Sequence, residues 1–211
     1  MLEFIGYSLK IGNKELIKNL NIKFRDSVIS HLGGSNGVGK SCFAKSCINI
    51  LDYEGEIKAS SEPVVIGSYS NVPSDLRLNN LYVFLKSKYE NKYVEWLFFM
   101  LGLDTIPKSF RIKNMSDGQK QKMKLLTFLA SKPRVIILDE FTNAIDKKST
   151  LDIYDFLIKY VEQEGVTCVN ISHNLSDIEH MSGRYYYMEE KTIKEVDSKE
   201  EIIKTYIRGG R

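Results

Sequence analysis

This chain has little of what would tie it to several common functional classes. It carries three cysteines, Cys42, Cys47 and Cys168, in 211 residues. The number is odd, no C-x-x-C spacing occurs and two of the three fall in expected core elements, which argues against a disulfide framework and points to a reduced, cytosolic protein. No long hydrophobic run is present. The longest, Trp96-Leu97-Phe98-Phe99-Met100-Leu101-Gly102-Leu103, falls far short of the ~18 residues that span a bilayer, so the chain is not expected to cross a membrane. No signal peptide is visible, because Met1-Leu2-Glu3-Phe4 starts like a strand. Neither charge sign dominates. The formal net charge is +3, too mild to argue for nucleic acid, and Lys120, Lys122 and Lys124 read as a solvated helix face. There is no internal repeat and no low-complexity tract.

The chain is 43% hydrophobic, enough to bury the core of one large domain or of a domain with an inserted lobe. Leu2–Leu9 and Leu16–Phe24 read as strands around the polar turn Gly12-Asn13-Lys14, the second with the apolar-polar alternation of a half-buried strand. Val28–Leu32 reads as a buried strand, followed by a helix from Ser41 to about Leu51. Gly55-Glu56-Ile57-Lys58 reads as a turn into a strand, and Val64-Val65-Ile66 as another strand. From Ser74 to Asn114 the pattern turns helical, with helices predicted over Leu81–Tyr89 and Tyr93–Leu103. Strands at Val135–Leu138, Val166–Ile171 and Tyr185–Met188 then alternate with helices at Lys120–Ala130 and Ser149–Val161 and a short one after His173. Ser198–Arg211 reads as a small helix and basic tail. Apolar strands separated by helices argue for a parallel sheet covered on both faces. Tyr185-Tyr186-Tyr187 suits a half-buried strand. The Trp96–Met100 aromatics read mainly as core, with part available as a docking patch.

Gly34-Ser35-Asn36-Gly37-Val38-Gly39-Lys40-Ser41 matches G-x-x-x-x-G-K-[ST], the P-loop, at every fixed position. Between a strand and a helix, its glycines let successive N–H groups turn inward around phosphates, and the helix start adds positive potential. Lys40 is expected to reach the β- and γ-phosphates, and Ser41 to hold Mg²⁺. Cys42 follows directly and is expected to pack as a small residue lining this cradle. Downstream, Val135-Ile136-Ile137-Leu138 runs into Asp139 and Glu140. Strand ends in such sheets are where ligands bind, so Asp139 is placed to reach Mg²⁺ through its water shell and Glu140 to deprotonate an attacking water.

Met115-Ser116-Asp117-Gly118-Gln119 fits a capping box that opens a helix. It also resembles the signature motif of the ATP-binding-cassette (ABC) ATPases, with Met for Leu and Asp for the first Gly. Leu138-Asp139-Glu140-Phe141-Thr142-Asn143-Ala144-Ile145-Asp146 resembles that family's Walker B motif and D-loop, with Phe141 where Pro is usual. Ile171-Ser172-His173 resembles its switch histidine, and Gly55-Glu56-Ile57 the turn after its P-loop helix. The resemblance covers nearly the whole chain. It implies an α/β P-loop NTPase cassette with a mostly parallel core sheet, an antiparallel β subdomain and a short inserted helical lobe, with the core at 1–73 and 115–211 and the lobe at 74–114. It further implies a dimer with two ATPs between opposed subunits. Ser116, Gly118, Gln119 and Asp146 of one subunit would meet the γ-phosphate side of ATP held by the other's P-loop, and His173 would contact the γ-phosphate beside Glu140. His31 and His180 read as structural histidines.

Three departures accompany the resemblance. The Q-loop glutamine, a Mg²⁺ ligand, should fall near Ile66–Asn71, where Asn71 is the nearest chemical substitute. The position of the aromatic that stacks on adenine is held by Ile11, which has no ring; either Tyr7 or Phe4 serves in its place or the base is only weakly held. The short Lys40–Ser116 spacing implies a trimmed lobe. The function that the resemblance implies is an ATP-hydrolysing, nucleotide-binding subunit of an ABC transporter, of the small kind used in bacterial export. It would sit on the cytoplasmic membrane face with separate integral-membrane subunits and a second identical or different ATPase subunit, and use ATP and Mg²⁺ without nucleic acid. Two alternatives stay open: a soluble ABC ATPase that remodels a protein or nucleic acid partner, and a non-hydrolysing nucleotide sensor.

Overall fold

A computed structural model describes residues 1–143 and 145–209. Ala144 of the D-loop segment and the end of the basic tail, Gly210 and Arg211, lie outside the described residues. Two sheets organise the chain. β1 (Leu2–Ile11) and β2 (Lys14–Phe24) form an antiparallel hairpin around the expected turn at Gly12-Asn13. β4 (Tyr53–Ala59) joins the free side of β1, giving the order β2-β1-β4. Gly55 is therefore inside a strand and not in the turn the sequence suggested. It faces a bulge in β1, where a Cβ on Gly55 would stand 2.5 Å from the Gly6 carbonyl oxygen. Only glycine permits that approach.

The second sheet has six strands in the order β5-β6-β7-β3-β8-β9: β3 (Val28–Gly34), β5 (Val64–Gly67), β6 (Val135–Asp139), β7 (Thr167–Ile171), β8 (Gly183–Glu189) and β9 (Thr192–Val196). The first five run parallel, and β9 closes the edge as an antiparallel hairpin with β8. β6 and β7 are buried at every residue. That is why they read as unbroken apolar runs and not as alternating strands. β9 was not legible, because Lys194 and Glu195 break its apolar pattern; only Ile193 is buried.

The helices are α1 (Lys40–Ser46), α2 (Leu78–Lys88), α3 (Asn91–Met100), α4 (Asp117–Leu129), α5 (Lys147–Glu164), α6 (Leu175–His180) and α7 (Lys199–Gly209). α1 stops at Ser46, short of the expected Leu51, in a run of turns that places Asn49 at positive φ. α5 carries Ile153, Phe156, Leu157, Tyr160 and Val161 at three- and four-residue spacing, all buried. Its start is capped by Asp146 and its end by Gly165 in the left-handed conformation, a common helix stop.

Two hydrophobic cores flank the parallel sheet. One lies between the two sheets and encloses α1, with Phe4, Tyr7, Phe24, Phe43 and Tyr186 in edge-on or tilted ring contacts. The other packs α2, α3, α4 and α5 against β6 and includes Ile66 and Leu138. Burying one such large apolar side chain is worth about 1.5–3 kcal/mol, so the aromatic runs are largely core. Val94, Leu97 and Phe98 are buried as expected, whereas Phe99 is 56% exposed. Tyr7 and Phe4 sit in the inter-sheet core, so neither can stack on a base. The carboxyl ends of β3, β6 and β7 come side by side through the pairings β3–β7 and β6–β7. All the strand-end motifs of the sequence converge there.

Candidate functional site

Four chain segments meet at the carboxyl ends of these strands. The P-loop leaves β3 at Gly34 and turns into α1 at Gly39, whose φ of 122° is one that side-chain-bearing residues rarely adopt. Ser35, Asn36 and Gly37 are exposed on the loop, Val38 and Gly39 half-buried. Lys40 is buried, and its ammonium donates to the carbonyl oxygens of Gly34 at 2.8 Å and Ser35 at 3.0 Å. It has no ion-pair partner among the described residues. A buried cation with only neutral partners is poised for an anion. Burial pushes the Lys40 ammonium down to about 8, although Glu140 and Asp139 pull it the other way.

The Ser41 hydroxyl donates to Asp139 Oδ1 at 3.1 Å, which joins the P-loop to the end of β6. Burial holds the Asp139 carboxyl above its ordinary value, and the Glu140 charge adds to this. A hydroxyl and a carboxylate at this separation are the hard oxygen donors that Mg²⁺ accepts when it keeps several waters. The residues present fit that ion. Glu140, one residue on, has φ 52°, an uncommon conformation for a non-glycine residue that marks local strain. Its N–H donates to the Ile171 carbonyl at 2.8 Å, and Asn143 Nδ2 donates to its Oε2 at 3.0 Å. His173 follows β7, and its Nε2 lies 3.3 Å from Glu140 Oε1. Burial and the Lys40 charge hold His173 below its ordinary value, against the pull of Glu140 and Asp139, so the imidazole faces Glu140 in its neutral form at pH 7.

Lys40, Ser41, Glu140 and His173 share one pocket of about 340 Å³, walled also by Ile11, Leu16, Lys14, Cys42 and the P-loop residues Asn36, Gly37 and Gly39. Ile11 is 41% exposed there. It stands at the pocket wall where the sequence placed the adenine contact, but offers no ring. Lys14, read from the sequence only as a turn residue, reaches the loop and donates to the Gly37 carbonyl at 3.4 Å.

Other expected site residues are placed differently. Ser116 and Gly118 do not line this pocket. Ser116 caps α4 through the full capping box, its Oγ accepting from the Gln119 N–H and Gln119 Oε1 accepting from the Ser116 N–H. Gly118 packs on α5: a Cβ there would meet Ser149 at 2.3 Å. Asp146 is the N-cap of α5, with Oδ1 accepting from the Ser149 N–H at 3.0 Å. Phe141, where the family pattern has proline, is buried in the helical core. Asn71 is exposed and lines a neighbouring cleft with Gln121, Lys124 and Asn143, so the structure does not bring it to Ser41 and Asp139. The residue of its loop that reaches Asp139 is Tyr69, which sequence reading missed because a tyrosine carries no resemblance to the expected amide. Burial, with the Asp139 charge beside it, raises the Tyr69 phenol well above its ordinary value.

A second group was invisible in the sequence. Asp177 on α6 is fully buried and accepts three hydrogen bonds: from Thr142 at 2.8 Å, Tyr154 at 2.5 Å and Asn170 at 3.0 Å. Thr142 lies two residues past Glu140, and Asp177 four past His173. The carboxylate therefore ties the two loops that carry the facing groups. His31 borders this network as a structural histidine. Its Nε2 is 2.8 Å from the Met181 carbonyl oxygen, and burial pushes it down to about 4. His180 is exposed and stacks on Tyr154 at 5.5 Å. Asp177→Asn should destabilise the fold by about 1–3 kcal/mol, since an amide leaves buried donors unmatched. Urea unfolding measures this, and a loss below about 0.5 kcal/mol would remove Asp177 as the tie.

The family model described as ABC transporter matches residues 17–143, more than half of the chain. The chain belongs to the ABC transporter family. The cassette is an ATPase, with the motif set of that family's ATP-binding proteins. It is 37% identical over 209 residues to "Probable peptide export ATP-binding protein YydI" of Bacillus subtilis (strain 168), covering 98% of this chain and 99% of that one. It is 25% identical to "Methionine import ATP-binding protein MetN 1" of Bacillus cereus (strain ATCC 10987 / NRS 248), covering 93% of the cassette but 63% of MetN. Among solved structures, cbiO1 from Clostridium perfringens, part of the ABC transporter complex cbiONQ, superposes with a TM-score of 0.81 at 18% identity, over 98% of the cassette and 92% of that chain. The dimeric bacterial ABC transporter cassette MJ0796 superposes with a TM-score of 0.75 at 20% identity, over 94% and 100%. Among the described residues, no helix of the cassette is long and apolar enough to cross a membrane.

Proposed function

We propose that the cassette powers export as one half of a two-ATPase motor, held at the cytoplasmic membrane face by separate membrane-spanning subunits. The observation that carries this reading is the single pocket that joins Lys40 and Ser41 to Glu140 and His173 while leaving Ser116 and Gly118 outside. In this reading ATP lies along the P-loop with its phosphates on Lys40 and its base against Ile11 and Leu16. Ser41 and Asp139 hold Mg²⁺, which neutralises phosphate charge. Glu140 accepts the proton of the attacking water, and His173 holds Glu140 and the γ-phosphate side in register. The Ser116 motif of a second cassette completes the site, and Asp146 lies beside it at the subunit boundary. The strained backbone at Glu140 and its contact with His173 favour hydrolysis over a passive nucleotide sensor. The similarity to YydI supports a peptide as cargo. The helical lobe at 74–114, with Phe99 and Phe84 exposed, is the surface offered to the membrane subunits.

Lys40 supplies the test. Without nucleotide its ammonium titrates at about 8, below the ~10.4 of a free lysine. The unfolded chain therefore binds more protons between these values, and Lys40 weakens the empty fold at neutral pH; this cost disappears as pH rises through that window. Phosphates beside Lys40 restore the charged form. ATP binding near pH 8 should accordingly take up about half a proton, and far less at pH 6.5. Calorimetry in buffers of different ionisation enthalpy measures the uptake. Lys40→Ala should lose both the uptake and most of the affinity. Unchanged ATP affinity in Lys40→Ala would contradict the assignment of the cradle.

A further inference from the structure

The loop after β5 brings a buried hydroxyl to the wall of the metal site. β5 ends at Gly67, paired in parallel register with Asp139. A tight turn follows. The Ser70 N–H donates to the Gly67 carbonyl at 3.1 Å, and the buried Ser70 hydroxyl accepts from the Gly67 N–H at 3.1 Å and donates to Val65 O at 3.0 Å. This lock directs Tyr69 back over the strand end. A Cβ at Gly67 would meet both the Asp139 Cβ, at 3.2 Å, and the Tyr69 ring, at 3.3 Å. The missing side chain is therefore what lets the ring lie against Asp139. The Lys45 ammonium of α1 stands 5.0 Å from the ring centroid and holds it from the P-loop side, a favourable cation–π distance.

The ring is fixed on all these sides, and its buried hydroxyl lies beside the Asp139 carboxylate without making a hydrogen bond of normal geometry to it or to any other described group. A buried hydroxyl left without a hydrogen bond costs free energy, which a water or a hydrated ion at its open side offsets. The Ser41–Asp139 pair that fits a hydrated divalent cation lies directly alongside. We infer that Tyr69 is the residue this loop contributes to the metal site, its hydroxyl hydrogen-bonding to a water of the cation held by Ser41 and Asp139. Tyr69 thereby takes the place that the sequence gave to Asn71, which faces another cleft. The inference rests on the nucleotide reading above. Tyr69 is a positioning residue: it orients the cation's hydration shell and does not touch the reacting phosphate.

The experiment compares Tyr69→Phe and Asn71→Ala with the unaltered protein. Phenylalanine keeps the ring and its contacts and removes only the hydroxyl. Mn²⁺ affinity of the protein loaded with a non-hydrolysable ATP analogue is read by electron paramagnetic resonance, and ATP affinity in excess EDTA by calorimetry. Tyr69→Phe should weaken Mn²⁺ binding about three- to tenfold, the effect of one hydrogen bond, and leave metal-free ATP affinity within about twofold. Asn71→Ala should leave both unchanged. The nucleotide-free Tyr69→Phe protein should melt at or above the unaltered temperature, because an unpaired buried hydroxyl is lost. Unchanged Mn²⁺ affinity in Tyr69→Phe overturns the inference while leaving the nucleotide site standing. A weakened Mn²⁺ affinity in Asn71→Ala alone, or a clearly lowered melting temperature in Tyr69→Phe, overturns it equally. Failure of the unaltered protein to bind ATP in EDTA overturns the nucleotide reading itself.

Discussion

Glu140→Gln should lower the ATPase rate by roughly two orders of magnitude or more, the usual scale of general-base catalysis. Glutamine preserves the size of the side chain and the acceptor that Asn143 uses at 3.0 Å. It removes the basic oxygen that faces His173. The backbone that aims the group, with φ 52° and the N–H bonded to Ile171, is untouched, so folding and nucleotide affinity should survive. The variant should also accumulate as an ATP-bound dimer, visible by light scattering, because closure precedes a hydrolysis that no longer occurs. Steady-state turnover at saturating ATP is the decisive measurement. Near-normal turnover would take the role of base away from Glu140.

The second large effect concerns assembly. The isolated cassette should be mainly monomeric, with ATPase activity rising more than linearly with its concentration. In the proposed motor, each site takes Lys40 and Ser41 from one copy and Ser116 and Gly118 from another. Ser116 is exposed at the start of α4, so Ser116→Arg should fit the monomer and obstruct only closure. Loss of the cap costs the helix about 0.5–2 kcal/mol, which a thermal melt will register separately. ATP binding should be close to unaltered while hydrolysis falls to near background. Mixing Ser116→Arg with Lys40→Ala chains should recover at most one working site per dimer. Specific activity that is independent of concentration, with Ser116→Arg fully active, would leave the motif as a helix cap alone.

Sequence reading reached most of this architecture because its signals are local. A P-loop is contiguous, and its glycines are demanded by φ values that L-residues avoid. The strands β6 and β7 announce themselves as unbroken apolar runs because both faces are buried. The capping box at Ser116 is complete within four residues, and the structure shows both of its hydrogen bonds. Errors arose where a residue's meaning depends on a distant partner. Gly55 reads as a turn until Gly6 is seen opposite it. β9 reads as a charged loop until β8 pairs with it.

By itself, then, the sequence determined the family, the order of the motifs and the parallel sheet with its helices, and it singled out Lys40, Ser41, Asp139, Glu140 and His173 as the groups proposed to carry the chemistry. Each of these follows from short-range spacing, where the backbone's few allowed conformations leave little choice. Only the tertiary structure decided which groups touch. It set His173 against Glu140, placed Tyr69 and not Asn71 beside Asp139, buried Tyr7 and Phe4 in the inter-sheet core, and tied the loops of Glu140 and His173 to Asp177. Those contacts join residues as far apart in the chain as Tyr69 and Asp139. Burial and packing, which no local pattern encodes, bring them together and shift their proton affinities.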